Sequence, residues 1–279
     1  MRKIFSIFLI AFFAIAIFLF FEREDDLMRV VFFDVGQGDS ALIQTPFGQD
    51  ILIDGGPDNS VLERLGYELG VFNRDIELLI ISHPHEDHLT GLVEIIRRYD
   101  VDKILYTGAD HQSEVYEEFL NEIKKQDKID LLIVNKEQSI SLGDNALLEI
   151  LYPNEDISEM VINDLNNTSM VLKLVFGENS FLFMGDAESE IEEKIDKDKI
   201  KDIDVLKVSH HGSKTNDKRF LEAVGPEYAV ISVGEDNIFL HPSQNTLNIL
   251  DNLGSEILRT DIYGDIVFRS DGQRIEFTP

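Results

Sequence analysis

The stretch Ser82-His83-Pro84-His85-Glu86-Asp87-His88-Leu89-Thr90-Gly91 organises the rest of this sequence. It follows an apolar run at residues 78–81 and precedes residues 92–98, where apolar and charged side chains recur at helical spacing. The apolar run is typical of a buried strand, and the later segment is typical of an amphipathic helix. The stretch is therefore predicted to be the loop that joins a central strand to a helix.

Four side chains of this loop are candidate metal ligands. Alternate residues of an extended chain point the same way, so His83 and His85 are expected to face one point. Asp87 and His88 lie on the turn into the helix and can face a second point nearby. A pair of divalent metal ions requires such nitrogen and oxygen ligands. The alternative is a histidine-rich surface turn, which the buried strand before the loop disfavours.

The composition is that of a folded, strongly acidic protein. The chain has 279 residues, of which 43% are hydrophobic, and this is enough to bury a sizeable core. Asp and Glu number 53 against 25 Lys and Arg, which gives a formal net charge of -28. This charge disfavours tight binding of duplex nucleic acid over a wide basic surface. The sequence has no cysteine, so disulfides and thiolate ligands are excluded.

The N-terminal segment has the pattern of a membrane anchor. After a basic start, residues 4–21 are apolar except for Ser6. As a helix this run would be ~27 Å long, close to the ~30 Å of a hydrocarbon core. Basic residues before it and acidic residues after it predict a single-pass protein of the cell membrane with an extracytoplasmic globular part. The alternative is a cleaved signal peptide and a secreted protein, but no small-residue cleavage pattern follows the run.

The sequence after the N-terminal segment predicts one globular domain of the α/β class. We divide the chain into residues 1–27, an anchor or uncleaved signal with a short acidic linker, and residues 28–279. Short strands joined by glycine turns open this domain, and strands that alternate with helices follow. Such spacing predicts a layered sandwich with helices on the outer faces.

Further carboxylates and histidines stand where other predicted strands end. Asp54 on an Asp-Gly-Gly turn is predicted to orient a metal-bound histidine, or simply to form the turn. Asp186 is predicted to bridge metals, with a helix N-cap as the alternative. His210 and His211 follow another apolar strand, and the sequence leaves open which of them is the ligand. His111 is interpreted as an exposed loop histidine. Side chains gathered at one edge of a sandwich would form a coherent site.

These motifs resemble those of the metallo-β-lactamase superfamily, whose mark is the His-x-His-x-Asp-His pattern at residues 83–88. From about Met28 to the C-terminus, the chain also resembles the extracytoplasmic hydrolase domain of ComEC-type competence proteins, which take up DNA. The motifs are Asp34-Val-Gly-Gln-Gly-Asp39-Ser40, Asn166-x-x-Ser169, Gly185-Asp186 and Val-Ser-His210-His211-Gly-Ser213. The resemblance implies an αβ/βα sandwich of two mixed sheets with outer helices, here preceded by one N-terminal transmembrane helix.

The resemblance also implies a centre with two divalent metal ions. Many members of the superfamily have a further histidine before the bridging aspartate, where this chain has Asn166 to Ser169. The first metal would therefore have fewer ligands, and Asp54, Asn166 and Ser169 would support the centre from behind. Ligands without sulfur suit zinc or manganese and do not decide between them. The ligands would be His83, His85 and Asp186 for the first metal, and Asp87, His88, Asp186 and His210 for the second.

The resulting hypothesis is an anchored, outward-facing phosphodiesterase, specifically a nuclease that favours single-stranded DNA. Metal coordination lowers the pKa of water towards ~7, which would make it a nucleophile. Asp87 would position this water, and His211 or His241 would steady the phosphate or protonate the leaving oxygen. The family's multi-helix channel has no counterpart in this sequence, so uptake of DNA would need a separate membrane channel as partner.

Two other functions stay open at this stage. The same site could act on a cell-wall phosphodiester or a lactone, and the acidic composition favours such a substrate over nucleic acid. A β-lactamase is disfavoured because many such enzymes use a cysteine ligand, which is absent here. The second alternative is a non-catalytic, membrane-anchored binding module, which the ligand set of the second metal disfavours.

Overall fold

The computed structural model describes residues 27–278 except 71, 159 and 161–162. The transmembrane helix expected at residues 4–21 lies outside these described residues. Within the part of the chain that the structure describes, no helix combines the length and apolar character needed to cross a bilayer.

The described chain alternates strands and helices along most of its length. Its strands are β1 (Met28–Phe32), β2 (Ala41–Gln44), β3 (Asp50–Ile53), β4 (Asp75–Ile76), β5 (Leu78–Ile80), β6 (Asp100–Val101), β7 (Lys103–Tyr106), β8 (Asp130–Ile133), β9 (Gln138–Gly143), β10 (Ala146–Tyr152), β11 (Val171–Phe176), β12 (Asn179–Phe183), β13 (Val205–Lys207), β14 (Tyr228–Ile231), β15 (Glu256–Arg259), β16 (Ile266–Ser270) and β17 (Ile275–Thr278). Its α-helices are α1 (Ser60–Leu69), α2 (Glu86–Arg98), α3 (Glu114–Lys125), α4 (Ser189–Lys194), α5 (Lys218–Val224), α6 (Gln244–Leu253) and α7 (Thr260–Tyr263). Short 3-10 turns lie at Leu165–Thr168, Lys197–Lys199 and Ser209–Gly212.

Two large mixed sheets form the centre of the fold. The first has the strand order β17-β16-β1-β2-β3-β5-β7-β8, antiparallel up to β3 and parallel from β3 to β8. The second has the order β15-β14-β13-β12-β11-β10-β9, parallel from β15 to β12 and antiparallel beyond. Strands β4 and β6 form a small separate pair. The predicted α/β architecture with two mixed sheets is confirmed.

Three apolar layers hold the sheets and helices together. The middle layer lies between the sheets, where the Phe32 ring is 5.6 Å from that of Phe183 and 6.1 Å from that of Phe268. The two outer layers pack α1 to α3 on the first sheet and α4 to α6 on the second. Each fully buried phenylalanine contributes roughly 1.5–3 kcal/mol by leaving water. This arrangement is the predicted sandwich with outer helices.

The parallel part of each sheet places chemically active loops at one edge. Carboxyl ends of neighbouring parallel strands share an edge, and ligand sites of α/β sheets lie there. In the first sheet Asp54 follows β3, and the 83–88 loop follows β5. In the second sheet Asp186 follows β12, and His210 follows β13. The fold therefore brings to one edge the loops that the sequence analysis selected.

Helix α2 begins in the 83–88 loop and packs unusually close to the turn after β3. Gly55 N donates to His88 O at 2.7 Å, and Gly91 N donates to Gly56 O at 3.2 Å. A Cβ atom on Gly91 would lie 2.1 Å from Gly55 O, which no real side chain tolerates. Glycine at position 91 is therefore what allows the helix to approach the turn that carries Asp54.

Replacement of Gly91 by alanine is expected to destabilise the protein by about 1–3 kcal/mol, because the helix must move away from the turn. Gly66→Ala is the matched control: Gly66 also lies inside a helix, and nothing lies within 4 Å of its added Cβ. There alanine is expected to stabilise by up to ~1 kcal/mol through helix propensity. Urea unfolding measures both changes, and equal effects at the two positions would contradict the close approach.

Candidate metal centre

Asp54 is a buried carboxylate that holds the first histidine loop in place. Its backbone has a φ of 58°, a left-handed conformation that aspartate tolerates better than most residues. Asp54 Oδ1 accepts from Ser82 N at 2.8 Å, and Oδ2 accepts from Ser82 Oγ at 2.6 Å and lies 2.9 Å from His88 Nδ1. Burial raises the pKa of Asp54, while His88 and Ser82 favour its charged form. The structure thus places Asp54 directly behind His88.

Ser82 extends this support to a second histidine. Its Oγ lies 3.1 Å from His83 Nδ1 and, as a donor, reaches Asp54. In both His83 and His88, Nδ1 therefore contacts the Asp54–Ser82 pair. The other ring nitrogen, Nε2, faces the site. A contact of this kind fixes the ring of a metal-binding histidine and sets which nitrogen carries the lone pair.

Asp186 lies at the centre of the site, in the turn after β12. Its backbone N donates to Ser169 Oγ at 3.0 Å, which fixes the turn. Helix α4 begins at Ser189 with Glu188 as its N-cap, so Asp186 is not the cap of that helix. Its carboxylate is buried and is surrounded by histidines on several sides. Its oxygens lie 3.3 Å from His88 Nε2, 3.6 Å from His211 Nε2, 3.8 Å from His210 Nε2 and 3.9 Å from His83 Nε2.

Four side chains from both sheets form one compact ligand group. These are Asp87, His88, Asp186 and His211, and one ligand atom of each lies within 4.8 Å of those of the others. His211 Nε2 is 3.3 Å from Asp87 Oδ2. Of the two histidines between which the sequence could not choose, His211 is the one in this group.

His210 also faces Asp186, and its Nε2 approaches the same oxygen, Oδ2, as that of His211. The φ values of His210 and His211 are 47° and 51°, and this left-handed turn sets their rings at 70° to each other. His210 Nδ1 is 3.3 Å from Glu188 Oε1 and 3.5 Å from the Asn166 side-chain nitrogen. His210 therefore lies near Asn166, in the region where the sequence analysis expected the first metal to be short of a ligand.

Further predicted site residues lie close to this cluster. His83 Nε2 lies 2.9 Å from His85 Nδ1, as expected for two residues that face one point. Asn166 is buried, and its Oδ1 has no hydrogen-bond partner among the described residues. All predicted metal ligands and supporting residues thus gather around one aspartate.

The charges of the site are strongly coupled. Burial opposes protonation of His88, but Asp186, Asp87 and Asp54 raise its pKa well above the usual range. Burial also opposes charge on Asp186, yet His211 and His88 hold the pKa of that carboxyl well below its usual range. Against burial, Asp186 and Asp39 raise the pKa of His211 to about 10. Ionised buried carboxylates make this a site for cations, which would displace the histidine protons on binding.

Atoms without partners show that the residues fit a metal. Among the described residues, Asn166 Oδ1 is buried without a hydrogen-bond partner, and His88 Nε2 and Asp186 Oδ1 face each other at 3.3 Å without a well-aligned hydrogen bond. A buried polar atom without a partner costs about 1–3 kcal/mol. Divalent cations bound beside Asp186 would satisfy these atoms, with the proton of His88 Nε2 displaced on binding.

Two residues that the sequence analysis did not select support His211. Lys207 Nζ and Asp39 Oδ2 form a buried ion pair of 2.6 Å, and Asp39 Oδ1 lies 3.3 Å from His211 Nδ1. That nitrogen is also 2.9 Å from Ser232 O. Two features of the sequence could have indicated these residues. Asp39 ends the Gly-Gln-Gly-Asp turn, and Lys207 is a charged residue within an apolar strand.

His241 lies over the site at the wall of a cleft. The cleft holds about 240 Å³ and is lined by ligand residues, His241 and Phe239. The His241 ring is 5.4 Å from that of His210 and 6.3 Å from that of His211. Burial, together with these two histidines, lowers the pKa of His241 to about 4. His241 is therefore neutral near neutral pH and can donate a hydrogen bond into the cleft.

Comparison with known protein sequences identifies relatives of the whole domain. A family model described as the Metallo-beta-lactamase superfamily matches residues 33–235. ComE operon protein 3 of Bacillus subtilis is 29% identical over 270 residues, which cover 89% of this chain and 33% of that protein. Recombination protein 2 of Haemophilus influenzae is 29% identical, covering 95% of this chain and 31% of that protein. The chain spans about a third of the length of these curated relatives.

Solved structures share the fold at low sequence identity. Zn(2+)-bound PqqB from Methylobacterium extorquens has a TM-score of 0.56 at 10% identity, covering 83% of this chain and 98% of that one. Igni18, a metallo hydrolase from Ignicoccus hospitalis, has a TM-score of 0.54 at 15% identity, covering 86% and 98%. The family model covers most of the domain and includes the 83–88 motif, Asp186 and His211. The chain therefore belongs to the metallo-beta-lactamase superfamily and is a metal-dependent hydrolase.

Proposed function

We propose that this chain is a membrane-anchored, extracytoplasmic phosphodiesterase with two divalent metal ions, and that it cleaves DNA. The observation that carries the proposal is the position of the Asp186 carboxylate. Its Oδ1 lies 3.3 Å from His88 Nε2, and its Oδ2 lies 3.6 Å from His211 Nε2, 3.8 Å from His210 Nε2 and 3.9 Å from His83 Nε2. A buried carboxylate surrounded by histidines would serve as a ligand shared by a pair of metals, and such pairs are used for in-line displacement at phosphorus.

We propose two ligand groups from the other neighbours of the histidines that surround Asp186. His211 replaces His210 in the second group, because His211 is the residue beside Asp87. His210 joins the first group, where it supplies the ligand that the sequence lacked. Nitrogen and oxygen donors suit zinc or manganese. We assign His83, His85, His210 and Asp186 to the first metal, and Asp87, His88, His211 and Asp186 to the second.

Divalent ions held by these groups would polarise phosphoryl oxygens and lower the pKa of a coordinated water. The residues of the chain orient the reactants around them. Asp87 is the most exposed carboxylate of the group, so it can accept a hydrogen bond from the attacking water. His241 is neutral and lines the wall of the cleft, so its ring can donate a hydrogen bond to a phosphate oxygen there. Asp54 and Ser82 keep the His88 and His83 rings in place.

DNA as substrate is supported by the relatives that cover the domain. They are named for the ComE operon and for recombination, and a third relative, from Neisseria gonorrhoeae, is named a competence protein. The formal net charge of -28 supports a single strand over a duplex, because a duplex concentrates more phosphate charge against the surface.

The location follows from the sequence of the N-terminal segment. We propose that residues 4–21 anchor the protein in the cell membrane, that residues 1–27 include this anchor and a linker, and that residues 28–279 form the extracytoplasmic hydrolase domain. A separate membrane channel would then be the partner in DNA uptake. Similarity to competence proteins supports membrane association.

Metal-loaded protein is expected to cleave single-stranded DNA, and Asp87→Ala is expected to reduce the rate by more than about a hundredfold, because a ligand matters more than its supporting residues. Gel assays with zinc or manganese, before and after chelation, measure this. DNA that stays intact with metal-loaded wild-type protein would contradict the nuclease. Cleavage of a simple phosphodiester or lactone by the same preparation would instead favour a substrate other than nucleic acid.

Asp54→Asn is expected to weaken metal binding by about 10- to 100-fold, since the amide supports the His88 ring less well than a carboxylate. Calorimetric titration with zinc or manganese measures the affinity. Asp58→Asn is the matched control. Asp58 lies four residues after Asp54 and is exposed, and its side chain accepts a hydrogen bond from Ser60 N at 2.8 Å. Unchanged affinity in Asp54→Asn would show that the hydrogen bond to His88 does not orient a ligand.

The choice between the adjacent histidines can be tested by metal content. His211→Ala is expected to lose the metal held with Asp87, because His211 belongs to that ligand group. His210→Ala is expected to keep that metal and to bind the other one more weakly. Mass spectrometry of the metal bound by each purified variant at limiting and excess metal distinguishes the two. The reverse pattern would restore His210 to the second group.

A further inference from the structure

The loop between β14 and α6 presents three consecutive apolar side chains to solvent. Ile238, Phe239 and Leu240 are 87%, 60% and 83% exposed. Leu240 has a φ of 58°, a left-handed conformation that a leucine adopts only at a cost. A strained backbone that exposes a contiguous apolar patch indicates a binding surface.

Internal hydrogen bonds hold this loop in shape. The Asn237 side-chain nitrogen donates to Gly234 O at 3.1 Å and to His241 O at 2.7 Å, while Asn237 Oδ1 accepts from His241 N at 2.9 Å. The Phe239 ring lies 5.9 Å from the His241 ring at an angle of 28°. Phe239 is therefore a preorganised aromatic surface, supported by the histidine that faces the metal ligands.

Phe239 separates the cleft over the metal ligands from a larger groove. The groove holds about 840 Å³ and runs between Phe239 and the segment that begins at His111. Both spaces are lined by Gln37, His85, Asp87 and Phe239, so they adjoin each other. A substrate with its phosphorus at the metal ligands would place its neighbouring group in this groove.

The lining of the groove excludes recognition of a phosphate chain by ion pairs. None of the described residues that line it is a lysine or an arginine, and Glu86 and Asp87 contribute negative charge. Gln37 and Gln112 supply neutral hydrogen-bonding groups at its wall, and the His111 ring lies beside them. An aromatic face combined with amides suits a flat, uncharged group with polar edges, which is the chemistry of a nucleobase.

We propose that the groove between Phe239 and His111 is a subsite for one unpaired nucleobase beside the scissile phosphate, stacked on Phe239. This inference rests on the proposed phosphodiesterase function and specifies its substrate as single-stranded DNA. Stacking on an aromatic side chain contributes about tenfold or more to affinity for each base and tolerates any base. A duplex keeps its bases paired inside the helix, so it cannot fill the subsite.

Binding of fluorescein-labelled oligothymidylate and of an abasic oligonucleotide of the same length tests the subsite. The full chain is used with Asp87→Ala as the background, so that the strand stays intact during anisotropy titrations. Phe239→Ala is expected to weaken oligothymidylate binding about tenfold and to leave abasic binding unchanged. Phe239→Trp is expected to retain the affinity, since it keeps an aromatic face.

Phe72→Ala serves as the control, because Phe72 is 98% exposed and its neighbour in the chain, Asn73, is bonded to Asp50 at the start of β3, the end of the strand away from Asp54. Its removal is expected to change neither affinity. Equal losses on the two strands in Phe239→Ala, or no loss on either, would overturn the base subsite. A selective loss of oligothymidylate binding without any DNA cleavage by metal-loaded wild-type protein would support the subsite and overturn the phosphodiesterase.

Discussion

The hydrogen bond between Asp54 and His88 is the interaction on which the rest of the site depends. It joins the turn after β3 to the start of α2, and it is reinforced by the backbone bond from Gly55 N to His88 O. A buried carboxylate is costly unless several donors surround it, and Asp54 has two from Ser82 and one from His88. These hydrogen bonds offset the cost of burying the Asp54 charge. The same contacts orient the rings of His88 and His83. Glycine at position 91 permits this contact, because a larger residue would push helix α2 away from the turn after β3.

The second sheet contributes its side chains to the site through a left-handed turn. His210 and His211 both adopt left-handed backbone conformations, and this turn brings both rings to Asp186 at an angle of 70° to each other. Lys207, the last residue of β13, is buried, and its ion pair with Asp39 places a carboxylate against His211. The first sheet therefore supports its histidines through Asp54, and the loop after β1 supports His211 through Asp39. Each large sheet contributes ligands, so the geometry of the centre depends on the packing of the sheets against each other.

Much of the fold was predictable from the sequence, because periodicity identifies buried strands and amphipathic helices. The 83–88 loop, Asp54 and Asp186 were predictable for the same reason: each follows an apolar strand. The position of His211 beside Asp87 was not predictable, since it depends on two positive φ angles that neither residue type requires. The Asp39–Lys207 pair was also hidden, because its partners meet only through the packing of β13 against the loop after β1. His111 was set aside as a loop histidine, and the structure places it at the groove beside the ligands.

The net negative charge of the protein opposes the approach of DNA to the proposed nuclease. With a formal net charge of -28, the surface repels a phosphate chain at long range, so electrostatic steering cannot bring DNA to the site. The groove offers no lysine or arginine among its described lining residues, and the cation-binding group around Asp186 is small. Affinity must then come from short-range contacts: one phosphate at the metals and one base on Phe239. Such a site acts efficiently only on strands supplied at high local concentration, which an anchor beside a membrane channel would provide. The acidic surface then contributes specificity, because DNA that is not delivered to the cleft is kept away.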